Sequence, residues 1–385
     1  EVPMEGPRAC RPEELDGLRT LENTVFRSNG ESCMFREFPT LFHESNCERL
    51  RVFVDKGQPV SAIAYVSRTA VIQGNTLRIG SLGAVATFEE YRGRGLATAL
   101  LEDTFAQMKR ENVDVVLISG QRGLYQRAGC AIAGHEMRFS LDGSALAGAP
   151  ERGLVVEEAA DADISDLIAL HQNEPSRFVR SPWEWQQFLS VYRLTPKGAE
   201  PPFGVRRLWV VRQQGTPVAY FVLSVGRDNT NPTAYVQEFA GNRAAVLSGL
   251  TSLKERFGLR TVSGSCLPSD REMNGLLTGL GGSVQASSIG GHRMSFLNPE
   301  VLRRYDLWVT ERLGTEFVGE LNLVQSDDVW YLTSGATRTV AGSLETTNAL
   351  LWGDAVRDLK GDDMDTGVWK RLLPLPFLLP GMNYI

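Results

Sequence analysis

Apolar and polar positions predict a strand, a helix and a second strand in the first third of the chain. Residues 78 to 88 carry small and β-branched side chains and no proline, which favours a strand. Residues 113 to 118 form a mostly apolar run that indicates the next strand. Between them, apolar side chains recur at near-helical spacing and predict an amphipathic helix: Leu96, Leu100, Leu101, Phe105 and Met108.

The same two spacings extend the prediction along the rest of the chain. Before the first strand we expect helices within 12–28 and 31–43, and a hairpin that joins 50–55 to 60–67. After the second strand we expect a closing strand near 136–141, and then a weaker repeat with helices at 161–171, 183–192 and 244–257 and strands at 208–212, 217–225 and 234–240. From about residue 292 the pattern changes, with strands at 317–324 and 329–333 and a helix within 340–351.

The joint between the first strand and its helix reads Arg-Gly-Arg-Gly-Leu-Ala over residues 92 to 97. Glycines let the backbone approach a ligand closely, and the first amides of a helix have no partner within it, so the joint suits a phosphate group. It is not a P-loop, because no Lys-Ser or Lys-Thr follows the glycines, and it lacks the three-glycine spacing of a dinucleotide-binding fold. Many α/β proteins also have such a joint with no ligand there.

Two motifs in this region resemble those of the GCN5-related N-acetyltransferases (GNAT). Arg92, Gly95 and Ala97 occupy the marked positions of the Gln/Arg-x-x-Gly-x-Gly/Ala signature, and residues 125 to 130 resemble the Tyr-x-x-x-Gly-Phe segment that closes the core. Cys130 stands where an aromatic residue is usual. Two motifs in the right order, with a helix and a strand between them, are much less expected by chance than either motif alone.

The resemblance extends to the order of domains. The fold class we predict is mixed α+β, with two GNAT folds in tandem followed by a sterol-carrier-protein-like α+β domain, over residues 1–148, 149–291 and 292–385. The second domain lacks the signature at its joint, residues 241 to 243, so we expect no coenzyme site there. Residues 145 to 152 contain glycine, proline and small residues and indicate a linker. This order is similar to that of the enhanced intracellular survival (Eis) acetyltransferases.

The resemblance also implies where acetyl coenzyme A binds. The backbone amides of the joint would hold its pyrophosphate, the preceding strand would hold the pantetheine and acetyl groups, and the N–H of Val85 would stabilise the developing oxyanion. Arg92 and Arg94 would add side-chain contacts to phosphate. The predicted coenzyme residues are Val85, Ala86, Thr87, Arg92, Gly93, Arg94, Gly95, Leu96 and Ala97.

Two proton-transfer groups follow from the same resemblance. Tyr125 would donate a proton to the coenzyme thiolate, and the alternative is that it only packs against the coenzyme. The tail, residues 372 to 385, is too apolar to remain in water and too rich in proline for a helix, so it should lie bound across the protein. In the resembled family the terminal carboxylate, here that of Ile385, receives the proton of the amine. The alternative is a tail that only seals domain interfaces.

Composition limits the other classes of protein to which the chain could belong. The net charge of -6 argues against a nucleic-acid or anionic-membrane surface, and no apolar stretch is long enough for a transmembrane helix. The five cysteines are scattered without CxxC pairs, which indicates reduced thiols in the cytoplasm and no zinc site. The four histidines have no metal-ligand spacing, so we expect no metal.

We therefore expect an enzyme that transfers acetyl directly from acetyl coenzyme A to a primary amine. The acceptor is an aminoglycoside, a polyamine or a lysine-type amine, and homo-oligomers such as hexamers are expected from the resemblance. Glu22, Glu31 or Glu37 could attract the amine, although core packing or solvation explains each of them at least as well. The alternatives are a lipid or small-molecule binding protein that uses the sterol-carrier-like domain, and an acyltransferase for longer acyl groups.

Overall fold

The computed structural model describes residues 3–30, 32–132, 134–148, 153–289, 291–359 and 363–385 of the chain. Its α-helices, in chain order, are α1 (Leu15–Phe26), α2 (Met34–Glu37), α3 (Leu96–Arg110), α4 (Gly123–Arg127), α5 (Ile164–Gln172), α6 (Pro182–Val191), α7 (Arg243–Phe257), α8 (Arg271–Gly279), α9 (Asp306–Arg312), α10 (Leu344–Trp352) and α11 (Asp363–Leu372). Short 3-10 helices cover Pro12–Glu14, Glu44–Arg49, Glu89–Tyr91, Ala145–Gly148, Asp161–Asp163, Val301–Tyr305, Thr315–Phe317, Asp354–Asp358 and Gly381–Asn383.

The strands, in chain order, are β1 (Glu5–Ala9), β2 (Leu50–Asp55), β3 (Gln58–Ile72), β4 (Asn75–Thr87), β5 (Val115–Ser119), β6 (Ala131–Ile132), β7 (His135–Asp142), β8 (Leu154–Glu158), β9 (Ser176–Phe178), β10 (Arg206–Gln213), β11 (Thr216–Val225), β12 (Thr233–Gly241), β13 (Thr261–Cys266), β14 (Ser283–Ser288), β15 (His292–Phe296), β16 (Leu321–Ser326), β17 (Val329–Ser334) and β18 (Thr337–Gly342). Among the described residues, no helix is long and apolar enough to span a bilayer.

Contacts divide the chain into two compact units. The first unit contains Glu1–Gly134, Ser288–Leu378 and Tyr384–Ile385, and the second contains His135–Ser287 and Leu379–Asn383. Both units combine helices with sheets, which confirms the mixed α+β class. The tandem arrangement, the three domain ranges and the sterol-carrier-like assignment remain predictions.

The sheet of the first unit has the strand order β1-β2-β3-β4-β5-β15-β6. Its neighbours are antiparallel except for β4 and β5, which are parallel. Successive side chains of β3 alternate between two cores, as a period of two requires. Ile63 and Tyr65 pack on the face covered by α3, whereas Ala62 and Ala64 pack on the face covered by α1. The joint between β4 and α3 therefore connects the sheet to a helix that packs on one of its two faces.

The strand beside β5 comes from an unexpected part of the chain. The segment near 136–141 does form a strand, but this strand, β7, pairs with β13 in the sheet of the second unit. β15 takes the expected place and pairs with β5 on one side and with β6 on the other. All five residues of β15 are buried, whereas burial alternates along β7, so β15 suits a central position. The prediction that β7 closes the first sheet was wrong.

The sheet of the second unit has the order β14-β7-β13-β12-β11-β10-β8, in which β12 and β13 are parallel. One face packs against α7, and the other packs against α5 and α6. The helices and strands predicted between 161 and 257 are all present. A three-stranded antiparallel sheet, β16-β17-β18, follows in the last part of the first unit.

Candidate functional site

The strands β4 and β5 separate at their C-terminal ends. Their parallel pairing begins at Ile79 and Val115 and ends at Leu82 and Ile118, whereas β4 continues to Thr87. The register of β4 against β3 also shifts at this point, and Ala84 adopts a left-handed φ of 50°. An extra residue of this kind is a β-bulge, which bends one strand away from its neighbour. The bulge opens a gap between β4 and β5 just before the joint.

The joint itself exposes backbone donors. Gly93 and Gly95 have φ values of 77° and 78°, which glycine adopts without strain, and a Cβ at either position would meet no atom within 4 Å. Within the described residues, the N–H groups from Gly93 to Ala97 have no acceptor in the chain, and the first bonds of α3 are made by Thr98 and Ala99 to the Gly95 carbonyl. These amides lie at the positive end of a 15-residue helix, so the site attracts anions.

A cavity of about 490 Å³ lies in front of these amides. Seven of the nine predicted coenzyme residues line it: Val85, Thr87, Arg92, Gly93, Gly95, Leu96 and Ala97. The other two do not: Ala86 points into the core under α1, and the Arg94 guanidinium stacks on the Tyr91 ring at 4.8 Å.

Three arginines line the cavity: Arg92, Arg122 and Arg127. Arg92 donates to the Thr87 carbonyl at 3.3 Å, and Arg122 donates to the Val85 carbonyl at 3.3 Å. In the part of the chain that the structure describes, none of the three forms an ion pair with a carboxylate. The cavity therefore suits a ligand with several negative charges. Our sequence reasoning missed both Arg122 and Arg127, although Arg127 lies in the second motif and Arg122 lies three residues before it.

Tyr125 lies in the core between α3 and the sheet and is 2% exposed. It is not among the residues that line the cavity, but its ring approaches Gly120, directly after β5. Burial raises the pKa of the phenol, and the nearby Arg122 guanidinium offsets this only in part. The phenol is therefore protonated at neutral pH. Burial also raises the pKa of the Cys130 thiol to about 12, which makes this thiol a poor nucleophile.

Ile385 lies in the gap between β4 and β5. One oxygen of its carboxylate accepts a hydrogen bond from Ser119 Oγ, and its side chain packs against the core under α1. A Cβ on Gly83 would lie 2.8 Å from the carboxyl carbon of Ile385 and 2.9 Å from its oxygen. The structure thus brings Ile385 to the same strand ends as Val85. Sequence reasoning missed the contacts of Ser119 and Gly83 with Ile385, because no local pattern marks a contact such as that of Ser119, across 266 positions.

The acidic candidates near the N-terminus have different surroundings. Glu22 is completely buried, and neither of its carboxyl oxygens has a hydrogen-bond partner in the described part of the chain. Burial raises its pKa well above the ordinary value of 4.5. Glu37 is paired with Arg27 and hydrogen-bonded to Ser32. Glu31 lies outside the described residues.

The second parallel pair, β12 and β13, separates in a similar way. Pairing ends at Val236 and Gly264, and β12 continues to Gly241 with Gln237 as an extra residue against β11. Here the helix start is occupied: the Gly241 N–H donates to Glu174 at 3.0 Å, and the Asn242 side chain accepts from the Ala245 N–H at 2.8 Å.

Ion pairs fill the surroundings of this second joint. Arg243 binds both Glu174 and Asp270, and Arg180 forms a bidentate pair with Glu238 at 2.7 and 2.6 Å. The segment Leu379–Asn383 packs here as well, with the Met382 N–H donating to Glu238 at 2.8 Å. A cavity of about 290 Å³ remains among these groups.

Residues 7–133 match the family model of the acetyltransferase (GNAT) domain. This part of the chain is therefore similar to the GNAT acetyltransferase domain. The match covers β1 to β6 and therefore includes the β4–α3 joint, the cavity and Tyr125. The coenzyme residues predicted from the two motifs thus lie within the residues that match the family model. No curated protein matches the sequence.

Solved structures resemble the chain beyond residues 7–133. A GCN5-related N-acetyltransferase from Anabaena variabilis has 12% identity and a TM-score of 0.66, over 95% of this chain and 96% of that one. Eis1 from Mycobacterium abscessus has 11% identity and a TM-score of 0.65, over 100% of both chains. A GCN5-related N-acetyltransferase from Kribbella flavida has 15% identity and a TM-score of 0.62, over 98% and 99%. Identities this low show a shared fold and nothing more.

No group of three or more His, Cys, Asp or Glu side chains in the described residues is arranged to hold a metal ion.

Proposed function

We propose that the chain is an N-acetyltransferase that moves an acetyl group from acetyl coenzyme A directly to a primary amine. The observation that carries the proposal is the row of unpaired amides from Gly93 to Ala97 in front of an arginine-lined cavity. Such amides at a helix start bind a pyrophosphate without further side chains. The GNAT match over residues 7–133 supports the same donor.

The donor would extend from the joint along the free edge of β4. Its pyrophosphate binds the amides, Arg92, Arg122 and Arg127 balance its charge, and its pantetheine follows Thr87 and Val85 towards the gap. The backbone N–H of Val85 would then stabilise the oxyanion that forms on the thioester carbonyl. In the first step of the reaction, the amine nitrogen attacks that carbonyl carbon and forms the C–N bond.

Two proton transfers complete the reaction. The carboxylate of Ile385 takes the proton that the amine nitrogen loses, and the C–S bond breaks to leave the coenzyme thiolate. Tyr125 gives its proton to that thiolate, and the site is restored when Ile385 releases its proton and Tyr125 takes one up. The raised pKa of Tyr125 keeps its phenol protonated before the transfer. The contact of Ile385 with Gly83 and Ser119, at the ends of β4 and β5, supports its role.

The acceptor in this proposal is an aminoglycoside, a polyamine or a lysine-type amine, since each presents a primary amine. We further propose a cytoplasmic location and self-association, hexamers included. The five cysteines are free thiols, which agrees with a reducing compartment. A longer acyl group is a second candidate for the donor on the sequence alone, because Gly83, Ala84 and Ala86 are small; in the structure Gly83 faces Ile385, and Ala84 and Ala86 pack into the core under α1.

The test is the release of coenzyme A thiol from acetyl coenzyme A in the presence of aminoglycosides, polyamines and lysine peptides. We expect turnover with at least one class, and no turnover with any of them would overturn the proposal. Propionyl and longer acyl coenzymes in the same assay measure donor choice.

Two variants test the proton-transfer roles. Tyr125→Phe should lower kcat by about 10-fold or more with little change in coenzyme affinity. One glycine appended after Ile385 should lower kcat by a similar factor, because it moves the carboxylate away from the gap. Full activity of either variant would remove that group from the mechanism.

A further inference from the structure

Two residues from neighbouring strands, Ser119 and Gly83, contact the terminal carboxylate of Ile385. We call this pair the carboxylate seat. Ser119 is the last residue of β5, and its Oγ donates a hydrogen bond to one carboxylate oxygen of Ile385. Gly83 lies in β4, directly after the last residue of that strand that pairs with β5. Both residues belong to the same unit as Ile385.

Gly83 leaves the space that the carboxylate occupies. Any larger residue would place its Cβ 2.8 Å from the carboxyl carbon and 3.3 Å from Cγ1 of Ile385. A contact under 3 Å between these atoms requires a shift of either the strand or the chain end. The φ of Gly83 is not in the left-handed region, so close approach is what requires a glycine here.

Ser119 fixes the direction of the carboxylate. A hydrogen bond from a hydroxyl to an ionised oxygen is short and strong, and it holds one of the two oxygens on β5. The second oxygen can then point to where an amine approaches Val85 across the gap. The contact joins residues 266 positions apart, so it does not arise from local chain geometry.

We propose that Ser119 and Gly83 position the carboxylate of Ile385 for proton transfer from the acceptor amine. The inference rests on the proposed function, because it assigns Ile385 the role described there. Ser119 acts through Ile385 and is a positioning residue. The effect of losing it should appear in the chemical step and not in coenzyme binding, because the joint and the cavity do not include Ser119 or Gly83.

The experiment compares Ser119→Ala, Ser119→Thr and Gly83→Ala in the full chain. We expect Ser119→Ala to lower kcat by about 10- to 100-fold, because a misplaced proton acceptor costs this much. Its affinity for acetyl coenzyme A, measured by calorimetry, should stay within about twofold of the parent value. Ser119→Thr keeps the hydroxyl and should retain most of the kcat, whereas Gly83→Ala should resemble Ser119→Ala.

Ser81→Ala is the matched control. Ser81 is a buried serine of β4, two residues before Gly83, and it pairs with Leu117 of β5. The same chemical change is thus made in the same pair of strands without touching Ile385. A normal kcat for Ser119→Ala, or an equal loss for Ser81→Ala and Ser119→Ala, would overturn the proposal.

A second measurement does not depend on transfer activity. A carboxypeptidase should release Ile385 roughly fivefold faster from Ser119→Ala than from the parent chain, because the chain end is no longer held. If the parent chain acetylates no amine and Ser119→Ala is still cleaved faster, the proposed function fails while the carboxylate seat remains. If cleavage rates are equal and transfer is normal, the carboxylate seat fails while the proposed function remains.

Discussion

The β4–β5 and β12–β13 pairs have the same strand arrangement but differ in the groups that bind the backbone amides at the start of the following helix, α3 or α7. In both pairs the parallel ladder stops early, and a 15-residue helix follows the longer strand. At the first helix the donors from Gly93 to Ala97 have no acceptor among the residues that the structure describes. At the second, the Gly241 N–H donates to Glu174 and the Asn242 N–H donates to the Val218 carbonyl, while the Asn242 side chain caps the helix through the Ala245 N–H.

The difference shows that the same fold can leave the amides at a helix start free for a phosphate or can bind them with its own side chains. A side-chain cap at a helix start stabilises it by about 0.5 to 2 kcal/mol relative to alanine, whereas glycine at that position costs only a few tenths of a kcal/mol. The first joint has Gly95 before its helix, whereas the second has Asn242. Gly95 thus costs the first joint little stability and leaves backbone amides that can bind an anion.

The buried carboxyl groups of the two units also differ. Glu238 in the second unit has Arg180, Tyr220 and a backbone N–H as partners. Glu22 in the first unit has none among the described residues. Burial opposes ionisation of both, but Arg180 outweighs it and lowers the pKa of Glu238 to about 2, whereas the pKa of Glu22 is raised well above 4.5. The contributions of the two groups to stability should therefore change with pH in opposite directions: that of Glu238 is lost as the pH falls, and that of Glu22 is lost as the pH rises.

The largest effect is expected from Glu238→Ala. It leaves the Arg180 guanidinium, whose side chain is 1% exposed, without its partner, and breaking a buried pair in this way costs about 3 to 5 kcal/mol. Because the pKa of Glu238 is lowered, the contribution is complete above about pH 4.5 and is lost as the pH falls towards 2. Urea unfolding at several pH values measures it. Glu255→Ala, an exposed change in α7, is the control, and equal losses from both would contradict the prediction.

Gly95→Asp should convert the first joint into one like the second. The new carboxylate competes for the free amides and repels the phosphates, so we expect acetyl coenzyme A to bind about 100-fold more weakly, or about 2.7 kcal/mol. Calorimetry measures the affinity. Gly57→Asp is the matched control, because Gly57 also has a φ of 78° and open space around its Cβ position. Unchanged affinity for Gly95→Asp would remove the joint from coenzyme binding.

Glu22→Leu should stabilise the first unit by about 2 kcal/mol near neutral pH, because it removes an unpaired buried polar group. Since the pKa of Glu22 is raised in the fold, wild-type stability should fall as the pH rises above about 4.5, and the advantage of the variant should grow over the same range. Urea unfolding at pH values on both sides of this point tests the sign. Thr24→Leu, at an exposed position of α1, controls for helix propensity. A gain that shrinks with rising pH would contradict the assignment.

The smallest effect is expected from Asn242→Ala, which removes the cap of α7 and should cost about 1 kcal/mol. Acetyl coenzyme A affinity should not change, because the second joint is already filled by Glu174 and Arg243. Thermal unfolding and calorimetry measure the two quantities. A weaker affinity in this variant would indicate that the second joint takes part in coenzyme binding after all.

Sequence reasoning was most successful where the signal is local. Helix and strand periodicity located α3, β4 and β5 to within a few residues, and the signature identified most of the cavity wall. Ala84 was not recognisable as the bulge residue, since alanine rarely adopts a positive φ. Its left-handed conformation depends on the surrounding strands and not on its own preference.

Contacts between distant segments could not be predicted from such patterns. The sequence of β15 indicates a buried segment, but nothing in it specifies β5 as its partner. The same holds for Ser119 with Ile385, and for the arginine side chains that turn into the cavity from α4. Pairing of this kind depends on which surfaces the folded sheets leave open.

The position of β15 has a consequence for the order in which the protein is made. A ribosome that has released the first 148 residues has produced β4, β5 and the joint, but not the strand that covers the other side of β5. Until residue 296 has emerged, β5 presents a free edge to other nascent chains, and such edges promote aggregation. Expression of the first predicted domain by itself should therefore give insoluble material, and adding a β15 peptide in trans should restore solubility.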